Sequence, residues 1–152
     1  MTEFKFLKAH GLGNDFVIFT EHSKLNISKK LVKFLSDRKK GVGCDLTVFL
    51  NKSENNYSDL VARFFNKDGS EAEVCGNALR CIGNYYFKKF NKKNVTVETN
   101  SGLIDVEKNI SEKISVDLGK PNISWDKIPI KIDVDTQNLD FDFDYLKGGF
   151  AV

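Results

Sequence analysis

A change of hydrophobic period at Gly76 constrains the fold more than any other feature of the chain. On either side of residues 76–90, apolar side chains occur in short runs bounded by turn residues, as is typical of β-strands. Within that range they recur at helical steps and small residues fill the gaps, so the predicted helix is apolar on most of its circumference. Such helices are usually central and buried. The apolar positions are Leu79, Ile82, Tyr86, Phe87 and Phe90.

Seven short β-prone runs are predicted around this helix. The first two form a hairpin-like pair around a loop with two glycines, residues 10–14. A second helix of about three turns is predicted earlier in the chain, with Ser28 as its N-cap and a stop at Lys39-Lys40-Gly41. The predicted strands are residues 4–9, 15–20, 44–50, 59–65, 95–99, 103–107 and 114–118.

Composition limits the classes of partner. The 152 residues carry 23 Lys and Arg against 21 Asp and Glu, and the basic residues form short runs separated by acids. Nucleic-acid binding needs a continuous basic surface, usually with aromatic platforms, so we expect no nucleic-acid partner. No apolar run approaches the roughly 18 residues of a membrane span, and the N-terminus lacks the apolar core of a signal peptide. We therefore expect a cytoplasmic protein without a membrane partner.

A domain boundary is predicted near Gly119. The segment Gly119-Lys120-Pro121-Asn122 interrupts the strand pattern, and the residues after it hold too little apolar material for a second core. We assign residues 1–119 to an N-terminal domain and residues 120–152 to the beginning of a truncated second domain. The last residues, Phe150-Ala151-Val152, form an apolar run after a Gly-Gly pair, which is typical of the beginning of a strand.

Cys75 lies where the central helix is predicted to begin. The unpaired N–H groups and the positive dipole end of a helix start favour a thiolate and can hold a substrate carboxylate. A thiolate beside a bound carboxylate lies near the α-carbon of an amino acid and can remove its α-proton. Inversion of that carbon needs a base on one face and an acid on the other, and one cysteine cannot serve both faces. The sequence therefore predicts half of a proton-transfer site.

Amide side chains and glycines could complete the pocket around Cys75. Amides donate and accept hydrogen bonds, and glycines allow the backbone to approach a ligand closely, which suits an α-amino acid zwitterion. The residues concerned are Asn14, Asn66 and Asn77, with Gly11, Gly13 and Gly76.

The other cysteines carry no predicted chemistry. Three cysteines, at spacings that suit neither a disulfide framework nor a zinc site, indicate reduced thiols. A free cysteine is most often a small buried hydrophobic residue, and we expect this of Cys44 and Cys81. For Arg80 we expect an ion pair with an acid on a neighbouring strand.

Three sequence blocks form a specific pattern over residues 4–90. They are Lys8–Val17, Asp37-Arg38 with Gly41–Asp45, and Arg63–Glu71 leading into Cys75–Cys81. In order and approximate spacing they resemble the N-terminal half of the diaminopimelate epimerase family, within the superfamily of cofactor-independent amino-acid racemases and epimerases. Taken alone, Cys75-Gly76-Asn77 also fits proline racemase and the phenazine-biosynthesis isomerase.

The resemblance implies an α+β fold in which a mixed, mostly antiparallel sheet curls around a central helix. It implies two such domains with one catalytic cysteine each, and no cofactor, neither a metal nor pyridoxal phosphate. Leu46 stands where many members carry a glutamine. Cys75 aligns with the catalytic cysteine of the first domain. The family's substrate-binding positions align with Asn14, Asn66, Gly76 and Asn77.

The implied activity is that of an isomerase in lysine biosynthesis, which interconverts LL-2,6-diaminoheptanedioate and its meso form by two-cysteine proton transfer. This chain carries only the first cysteine, so we expect the isolated 152 residues to be inactive and to need a C-terminal half. A homodimer is compatible with the resemblance. Two alternatives stay open: a non-catalytic remnant or pairing half that retains a pocket, and a proline racemase-like or other amino-acid racemase of the same fold.

Overall fold

The computed structural model describes residues 4–20 and 26–139. The chain divides into two compact units, Met1–Leu118 and Gly119–Val152. Assignment of the second unit to a truncated C-terminal domain stays a prediction. The predicted terminal strand at residues 150–152 lies outside the described residues.

The described part of the second unit is mostly irregular. A one-turn 3-10 helix spans Trp125–Lys127. The Thr136 hydroxyl, which is buried, donates a hydrogen bond to the Ile123 carbonyl.

The described residues of the first unit form one sheet and two helices. Across the sheet the strands follow the order β1-β2-β3-β4-β6-β7-β8, and β5 pairs with β4 beside this path. The pairs β2–β3 and β4–β6 are parallel and the other pairs are antiparallel, which confirms the predicted mixed sheet. The elements are β1 (Phe6–Gly11), β2 (Asn14–Phe19), α1 (Lys29–Ser36), β3 (Leu46–Lys52), β4 (Leu60–Asn66), β5 (Glu71–Ala72), α2 (Gly76–Phe90), β6 (Asn94–Thr99), β7 (Gly102–Lys108) and β8 (Ile114–Val116).

The sheet curls around α2 as a half-barrel. The helix packs against β1 and β8, which stand at the two ends of the strand order, and also against β2, β6 and β7. A flat sheet could not bring both of its edges to one helix, so the contacts require a curved one. The predicted α+β fold with a central helix is confirmed. β5 was missed because two residues are too few to show a period.

Side chains alternate between two cores, one on each face of the sheet. The outer core joins Val17, Phe19, Phe49 and Phe65 to Val32 and Leu35 of α1. A shift of register by one residue would exchange the two faces, so the apolar pattern holds the strands in place. On the inner face, against α2, lie Phe16, Ile18, Leu46, Val48, Leu50, Ala62, Phe64, Val95, Val97, Ile104 and Val106.

Helix α1 begins as predicted and ends early. The Ser28 hydroxyl accepts a hydrogen bond from the Leu31 N–H at 3.2 Å, which confirms it as the N-cap. The helix ends at Ser36, because Asp37 adopts an extended backbone and its carboxylate accepts from the N–H groups of Lys39 and Lys40. This local turn competes with helical bonding and removes the last predicted turn.

Helix α2 is buried along most of its length. Leu79 and Ile82 are completely buried, whereas Phe90 is half exposed, so the expectation of burial was wrong at that position. Phe90 is the last helical residue, and Asn91 after it turns the chain with a φ of 53°. Neither helix of residues 4–20 and 26–139 combines the length and apolarity needed to cross a membrane.

We expect Gly83→Ala to destabilise the first unit, although alanine is the better helix former. A Cβ at this buried position would lie 2.6 Å from Cγ1 of Val106, a stiff and fully buried side chain on β7. Overpacking of this kind lowers the free energy of unfolding by about 1–3 kcal/mol. Urea unfolding monitored by circular dichroism measures the change.

Asn84→Ala is the matched control, because Asn84 follows on the same helix and faces solvent. It should change the free energy of unfolding by no more than about 0.5 kcal/mol. Gly83→Ala should also be less harmful in a Val106→Ala background. Equal losses in both backgrounds would contradict the close packing of α2 on β7.

Candidate active site

The predicted site residues lie at one end of the sheet. Leu46, the first residue of β3, pairs with Phe16 of the parallel strand β2 and with Asn66, the last residue of the antiparallel strand β4. Asn14 begins β2 at the same end. Cys75 also lies at this end, as the contact of its sulfur with the Asn14 side chain shows. Strand direction thus assembles residues that are far apart in the sequence.

A tight hairpin forms the rim of the site. Gly11 and Asn14 pair across β1 and β2, and the two residues between them, Leu12 and Gly13, have φ values of 55° and 86°. Positive φ at both central positions is the signature of a type I′ turn. A Cβ on Gly11 would lie 3.2 Å from the Asn77 carbonyl oxygen. Gly11 therefore lets the hairpin approach the first turn of α2, and the predicted hairpin around a glycine loop is confirmed.

Cys75 is the N-cap residue of α2, as predicted. Its backbone is extended, and its side chain makes no capping bond to the helix. The thiol donates instead to the Asn14 side-chain oxygen, with a sulfur–oxygen distance of 3.7 Å. The first helical bond runs from the Leu79 N–H to the Cys75 carbonyl, so the N–H groups of Gly76 and Asn77 have no partner within the helix. A half-buried thiol thus stands beside donors suited to a carboxylate.

An ion-pair network contacts the amide nitrogen of the Asn14 side chain, opposite the oxygen that contacts Cys75. The Asn14 amide nitrogen donates to Asp45 Oδ2 at 3.3 Å. The Arg38 guanidinium binds both Asp15 and Asp45, at 2.7 and 2.9 Å. Lys8 adds a second cation 2.7 Å from Asp15. We call these four side chains (Lys8, Asp15, Arg38 and Asp45) the Arg38 network.

The sequence analysis missed the roles of the Arg38 network. Asp15, Arg38 and Asp45 fall inside the family-like blocks, which was the available signal. Their pairing joins residues 7 to 30 positions apart through strand register, and one sequence does not display register. Hydrogen bonding to Arg38, with support from Lys8 and Asp45, holds the pKa of Asp15 well below its usual value.

Two predicted amide residues have other partners. The Asn66 side chain donates to the Ser70 hydroxyl at 3.0 Å, within the turn that Asp68 stabilises. The Asn77 side-chain oxygen accepts from Arg80, and within residues 4–20 and 26–139 Arg80 forms no ion pair, so the expected pairing with an acid is not seen there. Within the described residues, Asn66 shares the site's end of the sheet but makes no hydrogen bond to Cys75. Substrate binding by Asn66, Gly76 and Asn77 stays a prediction.

The other two cysteines lie in the cores. Cys44 is buried on the α1 side of the sheet, 3.6 Å from the hydroxyls of Ser36 and Thr47. Cys81 is partly buried against the inner core, and burial raises the pKa of its thiol. A raised pKa keeps this thiol protonated at neutral pH and makes it a poor nucleophile.

Several solved structures share the fold of this chain. A hydroxyproline epimerase from Agrobacterium vitis has a TM-score of 0.58 at 13% identity, covering 73% of this chain and 40% of its own. A probable proline racemase from Agrobacterium radiobacter K84 has a TM-score of 0.59 at 13% identity, covering 75% and 41%. A PhzF-family phenazine biosynthesis protein from Bacillus anthracis reaches 0.52 at 20% identity, covering 74% and 38%.

Comparison of sequences identifies the family, whereas the solved structures show only the fold. The diaminopimelate epimerase of Carboxydothermus hydrogenoformans is 42% identical over 141 residues, which is 89% of this chain and 51% of that protein. The enzyme of Zymomonas mobilis is 36% identical over 150 residues, 98% of this chain and 53% of its own. The sequence model of diaminopimelate epimerase matches residues 6–124. The chain belongs to the diaminopimelate epimerase family and spans about half the length of these curated relatives.

The depressed pKa of Asp15 predicts a loss of stability in acid. In the unfolded chain, Asp15 takes up a proton near the ordinary pKa of 3.8. In the folded chain, the hydrogen bond to Arg38 keeps the Asp15 carboxylate ionised to lower pH. The stabilisation is therefore fully present above 3.8 and is lost as the pH falls through the lower folded value. Arg38→Gln should make the decline of the unfolding free energy between about pH 5 and about pH 2 shallower.

Urea unfolding at several pH values checks this, with Lys113→Gln as the control. Lys113 is an exposed cation without an ion pair among the described residues. Its replacement should leave the slope of stability against pH close to that of the unaltered chain. A slope unchanged by Arg38→Gln would contradict the ion pair as the cause of the shift.

Proposed function

We propose that the protein carrying this chain interconverts LL-2,6-diaminoheptanedioate and meso-diaminoheptanedioate without a cofactor, with Cys75 as one of two acid/base groups. The contact of the Cys75 thiol with Asn14 at the beginning of α2 carries the proposal. Membership of the diaminopimelate epimerase family supports the substrate. The proposal includes a cytoplasmic location and a role in lysine biosynthesis.

The helix start supplies the binding step. A substrate carboxylate bound to the N–H groups of Gly76 and Asn77 would bring its α-carbon near the Cys75 sulfur. One group removes the α-proton, and the electron pair left on carbon is delocalised into the carboxylate. The second group then delivers its own proton to the opposite face. The configuration at the α-carbon is then inverted, and the two enzyme groups have exchanged protonation states.

The second group has to come from outside the first unit's site. Cys44 lies in the outer core and Cys81 packs against the inner core. We infer that a further segment of the protein supplies a thiol on the other face of the substrate, as the two-fold greater length of the relatives suggests. A homodimer of such a protein is compatible with this arrangement.

The fold supports a second candidate, a racemase acting on proline or another small amino acid. The solved neighbours include a hydroxyproline epimerase described with bound trans-4-hydroxy-L-proline and a probable proline racemase. Their identity to this chain is 13%, so they bear on the fold alone. A non-catalytic pairing half that retains the pocket is the third candidate, and a protein without turnover on any of these substrates would favour it.

Cys75→Ser in the full-length protein should lower turnover at least about 100-fold, because a serine hydroxyl is a far weaker acid than a thiol and is not ionised at neutral pH, so it neither donates nor removes the α-proton efficiently. Incorporation of solvent deuterium into diaminopimelate measures proton exchange directly. Cys81→Ser is the matched control and should retain activity. Exchange into proline in place of diaminopimelate would favour the second candidate, and unchanged exchange in Cys75→Ser would remove Cys75 from the mechanism.

The purified 152-residue chain should form no meso product from the LL isomer, since it lacks an acid/base group for the second face. Chiral chromatography of the reaction mixture tests this. Adding the separately expressed remainder of the full-length protein should restore product formation. Turnover by the 152-residue chain alone would contradict a second group supplied from elsewhere.

A further inference from the structure

We infer that Asp45 is a positioning residue that fixes the Asn14 side chain with its carbonyl oxygen toward the Cys75 thiol. The orientation concerns the folded chain itself. Its meaning for catalysis rests on the proposed function.

The orientation follows from donor and acceptor chemistry. An ionised carboxylate only accepts hydrogen bonds, so the Asn14 group 3.3 Å from Asp45 Oδ2 has to be the NH₂ end of the amide. The amide is planar, and its oxygen therefore points the other way. That oxygen lies 3.7 Å from the Cys75 sulfur.

Asp45 is itself held at both carboxylate oxygens. Oδ1 accepts from the Arg38 guanidinium at 2.9 Å, and Oδ2 accepts from the Asp15 N–H at 3.1 Å. The Asp45 N–H donates in return to Asp15 Oδ1 at 3.0 Å. Rotation of the carboxylate would break charge-assisted bonds, which are about twice as strong as neutral ones. The Asn14 amide thus donates to a carboxylate that is itself bonded at both oxygens.

This orientation acts on the protonation of Cys75. An amide oxygen accepts a hydrogen bond from S–H but repels a thiolate, whereas an amide NH₂ would donate to a thiolate. The helix start favours the thiolate, so Asp45 opposes the helix through Asn14.

Helix α2 and the strands β1 and β2 carry other ionisable groups, and the test has to separate them from Asp45. Helix α2 carries Cys81 and Arg80, and the Arg80 guanidinium binds Asn77. The remaining groups are Glu73 before α2, His10 and Lys8 on β1, and Asp15 on β2.

Alkylation of Cys75 by iodoacetamide reports the thiolate fraction without requiring turnover. Asp45→Ala frees the Asn14 amide to turn its NH₂ toward the sulfur. The Cys75 alkylation rate of the 152-residue chain, followed by peptide mass spectrometry, should then rise about 3- to 10-fold at neutral pH. The pH profile of the rate should move to lower pH.

Asp15→Ala is the matched control, because Asp15 belongs to the same network but its side chain does not contact the Asn14 side chain. It should change the alkylation rate by less than about 2-fold, even if it lowers stability as much as Asp45→Ala. In an Asn14→Ala background, Asp45→Ala should have no effect on the rate. Equal acceleration by both aspartate variants, or acceleration that persists without Asn14, would overturn the inference.

A second measurement covers the case in which Asp45→Ala folds poorly. In the unaltered chain, the side-chain NH₂ resonances of Asn14 should show slow exchange with water, and Arg38→Gln should speed that exchange. If Arg38→Gln leaves the exchange rate of the Asn14 NH₂ protons unchanged, the inference is overturned. Neither experiment involves a substrate, so failure of the proposed function would leave both results standing.

Discussion

Burial of α2 is the constraint on which the rest of the first unit depends. The buried residues of this helix spread over a broad face, and a flat sheet covers only part of such a face. The sheet therefore curls until β1 and β8 both contact the helix. The same curvature carries the β1–β2 turn to the beginning of α2, where Gly11 approaches Asn77. Packing of the core thus also assembles the site.

Electrostatics then determines the chemistry at that position. The helix start favours a negative sulfur, and the Asn14 oxygen opposes it. Arg38 holds Asp15 and Asp45 together, and Asp45 holds the amide. A residue with no contact to Cys75 can therefore influence the thiol through two hydrogen bonds.

Local patterns predicted the local part of the site. Cys75, Gly76 and Asn77 are contiguous, and the change of period after them was sufficient to place a helix start there. The Ser28 cap was equally visible, since a cap is defined by neighbouring residues. The predictions were wrong at the C-terminal ends of the helices. Helix α1 is shorter than predicted because the Asp37 side chain forms a local turn, and Phe90 is exposed because α2 ends there.

The sequence by itself determined the element types, the mixed sheet expected from the family-like blocks, and the position of Cys75 at the beginning of α2. Only the tertiary structure decided that the Asn14 oxygen faces that cysteine, that Asn66 bonds to Ser70, and that Arg80 binds Asn77. The physical reason is range. Helices and turns depend on residues within a few positions of one another, whereas Cys75 and Asn14 are 61 residues apart and meet through strand register and the curvature of the sheet.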